Sequence, residues 1–203
     1  MKTSYLLCTV VCIVLLTTLL TVLYNNDVGV KGDVQPIQTP IQKTTMKITS
    51  TAFGENQIIP STYTCDAAGT NPDLSWSNVP PDTASLVLIM DDPDVPTSIK
   101  PDGLFVHWVV YNIDPKTTGI SASSAHSDTS EGTQGSNSSG KSGYRGPCPP
   151  DREHRYFFKL YALDQKLDLP VGASKADVEV KMAGHILEMS ELMGRYDRIG
   201  RQK

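Results

Sequence analysis

Hydrophobic and polar positions alternate with a period of two along much of this chain, and that period predicts strands. Met46 to Phe53 alternates and is rich in β-branched residues, with Gly54-Glu55-Asn56 as its turn. Ile58-Ile59-Pro60 predicts another short strand with Pro60 at its edge, and Leu74-Ser75-Trp76 one that is apolar on a single face. Leu86-Val87-Leu88-Ile89-Met90 does not alternate; a continuous apolar run of that length predicts a buried strand. Leu104 to Tyr111 predicts a further strand with His107 in its middle. His154 to Asp164 is the strongest, because its aromatic side chains suit a pleated surface. The period then changes. Val178, Met182, Ile186, Met189, Met193 and Tyr196 recur at helical spacing, so a core-facing helix is expected from about Ser174 to the neighbourhood of Gly194. Ser174 with Asp177 in the first turn resembles an N-cap. The expected domain is mainly β, largely antiparallel, with one C-terminal helix packed on it.

Two stretches fall outside this pattern. Tyr5 to Tyr24 holds no charge, proline or glycine, and twenty helical residues span roughly 30 Å, a bilayer core. That length favours an uncleaved signal anchor at residues 1–24 over a cleaved signal peptide, with Lys2 before the span favouring an exported, membrane-anchored or secreted domain. Residues 25–45 are polar, contain two prolines and read as a flexible linker. The domain occupies 46–200. Residues 114–153 form the other exception, a long stretch with six glycines, many serines and little aliphatic periodicity, expected to be a functional or disordered loop. It contains His126, expected in solvent, and a glycosylation sequon at Asn137.

Charge narrows the partners. Formal net charge is −4, and from residue 46 onward 20 acidic residues face 15 basic ones. A basic surface for nucleic acid is not indicated. Cys8 and Cys12 lie in the apolar segment, whereas Cys65 and Cys148 lie in loops of the domain. An export signal together with two loop cysteines suggests that Cys65 and Cys148 pair, closing a loop of about 80 residues worth on the order of 4 kcal/mol in the chain-entropy model.

The candidate chemistry gathers at strand ends. Asp91-Asp92-Pro93-Asp94-Val95-Pro96 follows the apolar strand, and each proline stops it from continuing as a central ladder member. A rigid acidic corner therefore ends a core strand, near the strand that carries His107 and the one that His154 opens. Asp92, Asp94, His107 and His154, with Tyr144 or Tyr156, could bind a transition metal, perform acid–base hydrolysis or bind an anion. Sequence spacing alone does not choose among these. No Gly-x-Ser-x-Gly elbow and no phosphate-cradling glycine loop is present, and neither domain cysteine has an evident activating neighbour. His185 falls one residue off the helical stripe and is expected to be structural.

Three motifs in order carry a resemblance. Asp92-Pro93-Asp94-Val95-Pro96, Val106-His107-Trp108-Val109-Val110-Tyr111-Asn112, and Gly146-Pro147-Cys148-Pro149-Pro150 before His154-Arg155-Tyr156 resemble the phosphatidylethanolamine-binding protein family. The likeness is to its bacterial and archaeal, Raf kinase inhibitor-like branch, and it runs from about Met46 to Tyr196. The resemblance implies an antiparallel β-sandwich with a C-terminal helix beside a small, surface-open pocket. It implies a pocket built from Asp92, Asp94, His107 and His154, lined by Tyr156, Pro96, and the Gly146 to Pro150 rim including Pro149, with both imidazoles facing a phosphate. It implies no cofactor and no catalytic residue. The short Asp151-Arg152-Glu153 link departs from the glycine-bearing stretch often found there, which puts ligand selection at the rim in doubt.

Three functions are expected to compete. The first is non-enzymatic binding of a small anion or phospholipid head group, with the membrane reached through the N-terminal anchor. The second is regulation of a kinase or protease by protein–protein contact. The third is a metal-dependent hydrolase using His107, His154 and Asp92.

Overall fold

The computed structural model describes residues 45–123 and 131–201. The expected anchor, the linker up to residue 44 and His126 lie outside the described residues. Among the described residues no helix is long and apolar enough to cross a membrane.

Nine strands are present among the described residues: β1 (Lys47–Thr49), β2 (Gln57–Ile58), β3 (Leu74–Ser77), β4 (Ser85–Asp92), β5 (Phe105–Ile113), β6 (Gly119–Ile120), β7 (Thr133–Gln134), β8 (His154–Leu163) and β9 (Ile186–Tyr196). One helix, α1, spans Lys175–Met182. The strands make a six-stranded sheet in the order β2-β9-β8-β4-β5-β7 and a three-stranded sheet in the order β1-β3-β6. Every pairing is antiparallel except β2 with β9. The expected mainly β, antiparallel architecture is the one observed.

Burial explains why β4 lacks alternation. All eight of its residues are buried. Leu86, Leu88 and Met90 pack with Trp108, Phe158 and Leu160 against Ile48, Leu74 and Trp76 of the small sheet. Val87 and Ile89 point the other way, onto Val109, Tyr111, Val178 and Met182. A strand covered by a sheet on one face and a helix on the other has no polar face to display.

The helix is shorter than the stripe predicts. Ser174 caps it as expected, and a full capping box forms: the Ser174 hydroxyl accepts from the Asp177 N–H, while the Asp177 carboxylate accepts from the Ser174 N–H. The helix nevertheless ends at Met182, and Ile186 to Tyr196 is strand β9, paired along the whole of β8. Gly184 has φ +82°, a conformation suited to glycine that ends the helical path. Val178 and Met182 of the predicted stripe are buried, but Ile186 and Met189, at 44% and 49% exposure, do not face the core. Leu192 and Tyr196, which alternate in the strand with Gly194 between them, do. Gly194 also has a reason in packing: a Cβ there would lie 2.6 Å from the Ile59 side chain. His185 sits in the turn, with Nδ1 2.9 Å from the Asp164 carboxylate.

The glycine-rich stretch after β5 is partly built into the sheets, since it supplies β6 and β7. Asn137 of the sequon is buried and its amide is engaged inside the loop. Its Nδ2 donates to the Gly143 carbonyl at 3.1 Å, and its Oδ1 accepts from the Ser139 N–H at 2.9 Å. That amide is not presented as a glycan acceptor.

Candidate functional site

The acidic run at the end of β4 divides among three surroundings. Successive side chains of a strand point to opposite faces. Asp91 therefore faces the helix side, where the Lys159 ammonium lies 3.0 Å and that of Lys175 3.7 Å from its carboxylate. Asp92 faces the other side. Asp94, beyond the strand, accepts from the Arg155 Nε–H and Nη2–H at 2.8 Å each and from the Arg155 backbone N–H at 3.0 Å. That forked pair ties the Pro93–Pro96 turn to β8 and holds the Asp94 carboxyl below its ordinary range. Pro96 works through its backbone: its carbonyl accepts from Ile99 and Lys100, closing the turn.

Asp92 is 2% exposed and organised on both oxygens. Oδ1 accepts from the Asp94 N–H at 2.8 Å, and Oδ2 lies 2.7 Å from Nδ1 of His154. Burial raises its pKa, against the lowering effect of these hydrogen bonds. His154 is fully buried, and its Nε2 lies 2.9 Å from the Asp151 carboxylate. Both of its ring nitrogens are thus taken by carboxylates, and neither is left for a ligand. Contact with His154 holds Asp151 below its ordinary pKa. Arg152 bridges Asp151 and the Asp94 carbonyl, and Glu153 pairs with Arg195, so the short acidic link is part of the frame.

His107 stands opposite, on β5. Its Nδ1 lies 2.7 Å from the Arg145 carbonyl oxygen. A carbonyl only accepts, so Nδ1 carries a proton and the neutral ring leaves Nε2 as an acceptor. Burial lowers the His107 pKa to about 4, and the nearby charge of Arg145 acts in the same direction. The ring meets Phe105 at 4.8 Å and the edge of Tyr156 at 5.2 Å between centroids. Tyr156 is fully buried, and its hydroxyl, although close enough to the Asp92 carboxylate to feel it, makes no well-formed hydrogen bond among the described residues. Burial, followed by the charge of Asp92, pushes that hydroxyl's pKa upward.

These elements enclose a cleft of about 160 Å³ lined by Asp92, Val95, Ile99, Phe105, His107, Arg145, Cys148 and Pro150. Its rim is stapled in place. Cys65 and Cys148 form a disulfide across 83 residues of sequence, and the Cys65 N–H donates to the Pro147 carbonyl. Gly146 passes so close to the loop before it that a Cβ would meet the Tyr63 carbonyl at 2.8 Å. Arg201 donates to the carbonyls of Pro149 and Pro150, tying the rim to the C-terminal segment. A second cleft of about 340 Å³ lies across the rim, lined by Thr64, Lys141, Ser142, Tyr144, Arg145, Gly146 and Cys148 among others.

Of the residues singled out in the sequence, Asp92 and His107 line the smaller cleft. Asp94, His154 and Tyr156 stand behind it, Pro96 shapes its loop, Pro149 anchors its rim, and Gly146 faces the larger cleft. The resemblance implied two imidazoles toward a phosphate; the geometry offers one, and in its neutral form it accepts. Two residues escaped sequence reading. Asp151 lies in the link that departs from the family pattern, but its pairing with His154 is visible only in three dimensions. Arg145 is a lone cation in a rim of glycine and proline, which was the available signal. Among the described residues no group of three or more His, Cys, Asp or Glu is arranged to hold a metal ion.

A sandwich of two sheets with a small cleft at the ends of its central strands, apolar but for a few placed polar groups, defines a recognisable class of β-proteins. The chain belongs to the phosphatidylethanolamine-binding protein family, whose model matches residues 49–197. A relative from Methanothermobacter thermautotrophicus, called a UPF0098 protein, is 48% identical over 155 residues, 75% of this chain and 99% of the relative. One from Aquifex aeolicus, of the same designation, is 45% identical over 75% of this chain and 89% of its own. Two solved structures are similar. A putative phosphatidylethanolamine-binding protein homologue from Chlamydia trachomatis has 44% identity and a TM-score of 0.72, over 76% of this chain and 98% of that one. YbcL of E. coli, described as a new member of the mammalian PEBP family, has 28% identity and a TM-score of 0.69, over 76% and 99%.

The expected membrane-anchored, exported placement is corrected by these findings. The archaeal and Aquifex relatives are covered over 99% and 89% of their lengths by a match that takes in only 75% of this chain. The Methanothermobacter relative, covered almost end to end, leaves no room for a preceding anchor of its own, and no described helix is long and apolar enough to cross a membrane.

Proposed function

We propose that this domain binds a small phosphate-bearing molecule, a free anion or a phospholipid head group, and does not transform it. One observation carries the reading: a cleft at a strand end in which the Asp92 carboxylate and His107 Nε2 sit within a wall of Val95, Phe105 and Pro150, with the Arg145 cation at its edge. A few placed polar groups within an apolar wall suit recognition of a small ligand. Family membership supports it, since the Chlamydia trachomatis neighbour is itself described as a phosphatidylethanolamine-binding protein homologue. No serine, threonine or lysine lines the cleft, and the one sulfur that does is bonded to Cys65.

Calorimetric titration with inorganic phosphate and O-phosphoethanolamine tests this reading. Saturable binding is expected, weakened by His107→Ala about tenfold, or about 1.4 kcal/mol. Well-folded protein that takes up neither compound would overturn it.

A further inference from the structure

The larger cleft, across the rim from the strand ends, has a chemistry of its own. It holds about 340 Å³ and takes in both halves of the Cys65–Cys148 disulfide. Those halves differ. Cys65 is exposed, whereas Cys148 is half-buried. Arg198 lies against the inner one, and its Nη1 donates to Cys148 Sγ at 3.7 Å. Its Nε donates to the Asp66 carboxylate at 2.6 Å, which also accepts from the Tyr196 hydroxyl and the Ile199 N–H. Asp66 offsets part of the arginine's charge, but it also fixes the guanidinium toward the sulfur. The charge of the cleft wall is of one sign. Lys141 and Arg145 line it, both exposed, and no carboxylate does. The nearby acids are engaged elsewhere: Asp66 with Arg198, and Asp151 with His154 and Arg152.

We propose that Cys65 is a modification site for a small acidic thiol, which the larger cleft admits by charge and joins to the protein as a mixed disulfide. The thiolate sulfur of the incoming molecule bonds to Cys65 Sγ. The Cys65–Cys148 bond breaks, and its electron pair leaves on Cys148, which then takes a proton from water. One disulfide is exchanged for another, so no further oxidant or reductant enters. Such exchange is fast where the attacked sulfur is accessible and the departing thiolate is stabilised. Exposure of Cys65 meets the first condition, and the Arg198 contact at Cys148 meets the second. Attack in the opposite sense would strike the half-buried sulfur and release a Cys65 thiolate without the Arg198 contact. The wall selects the reagent, because Lys141 and Arg145 attract the carboxylates of an acidic thiol and repel an amine. While the adduct stands, the staple across the rim is open. None of this depends on what the strand-end cleft binds.

The test treats the full-length protein, in native buffer, with reduced glutathione as an acidic thiol and cysteamine as a cationic one. An acid quench traps the mixed disulfide before Cys148 recloses it. Peptide mapping by mass spectrometry then locates the adduct and separates Cys65 and Cys148 from Cys8 and Cys12. Each rate is divided by that of the same thiol toward hydroxyethyl disulfide, a neutral reference that removes intrinsic reactivity. Glutathione is expected on Cys65, at a corrected rate about tenfold above that of cysteamine. Lys141→Glu should cut that ratio about fivefold. Arg198→Gln should slow both thiols about threefold, and Arg198→Lys, which keeps the charge, should regain part of the rate. A circular dichroism melt verifies that each variant is folded at the assay temperature. The sign at Arg198 is diagnostic. An arginine that only braces the rim would, once removed, let both thiols open the disulfide faster, and that result would sink the proposal. So would an adduct confined to Cys148, equal corrected rates for the two thiols, or a disulfide that opens only in denaturant.

Discussion

Asp91 and Asp92 follow one another on β4, yet the two faces of the sheet treat them differently. On the helix side Asp91 faces two ammonium groups, within a layer otherwise filled by Val87, Ile89, Val109, Tyr111 and α1. Its charge is balanced inside the protein. On the pocket side Asp92 faces an imidazole and a backbone N–H, near a neutral histidine and a tyrosine hydroxyl without a well-formed hydrogen bond. Both carboxylates are almost fully buried. The difference is that one face satisfies its polar groups and the other leaves capacity over. Buried polar groups in native proteins are usually satisfied, so leftover capacity at a cleft is where binding is to be sought.

The largest expected effect tests whether the pocket side depends on a covalent tie that the helix side lacks. Changing Cys65 and Cys148 together to Ser removes a cross-link that closes 83 residues of sequence separation. The chain-entropy model gives a loss on the order of 4 kcal/mol in denaturant unfolding. Amide exchange should also rise first at the rim, at Cys65 and Arg145, before the β4–β5 ladder behind α1 responds. A loss under about 1 kcal/mol would mean that the hydrogen bonds of the rim hold it without the disulfide.

Next in size is the acid response of the pocket side. His107 has a folded-state pKa of about 4 against an ordinary 6.5. A depressed histidine contributes stability that is fully present above pH 6.5 and is lost as pH falls toward 4, because the unfolded chain binds the proton first. The contribution is about 3 kcal/mol. His107→Gln keeps a polar side chain without the titration. Wild type should lose about 3 kcal/mol more than His107→Gln between pH 7.5 and pH 4, measured by urea unfolding. Parallel losses in the two proteins would show that His107 titrates normally.

The same contrast decides what was legible in the sequence. The helix side could be read from pattern, because apolar periodicity and a capping signal at Ser174 and Asp177 report burial directly. Even there the pattern failed at β9. Ile186, Met189 and Met193 keep helical spacing by coincidence, and pairing with the whole of β8 outweighed that local signal. Gly184 was the clue to the break. On the pocket side, residue types were legible and their partners were not. Asp92, Asp94, His107 and His154 stood out, and the motif order gave the family. That Asp94 belongs to Arg155, and that His154 is enclosed by Asp92 and Asp151, depends on contacts between β4, β8 and the link before β8. No spacing rule reports such contacts. Arg145 was passed over because a cation in a glycine-proline rim looks like a solvated side chain until the lining of the cleft is known.

The smallest effect is the sharpest on the comparison, because the two faces should give opposite signs to the same substitution. Tyr111 and Tyr156 are both fully buried, one on each side of the sheet. The Tyr111 hydroxyl donates to the Pro170 carbonyl, whereas the Tyr156 hydroxyl makes no well-formed hydrogen bond among the described residues. Tyr111→Phe removes one of the two donors to the Pro170 carbonyl, which keeps the Ala173 N–H, and should cost about 1 kcal/mol. Tyr156→Phe removes a buried donor that is itself unmatched, and should raise stability by up to about 1 kcal/mol in ligand-free buffer. Thermal and urea unfolding of the two variants settles the sign. If Tyr156→Phe destabilises as Tyr111→Phe does, the hydroxyl is satisfied in solution by ordered water, and the pocket face is as complete as the helix face. If it stabilises the free protein and also weakens phosphoethanolamine binding, the unmatched hydroxyl is held at a cost to stability because a ligand uses it.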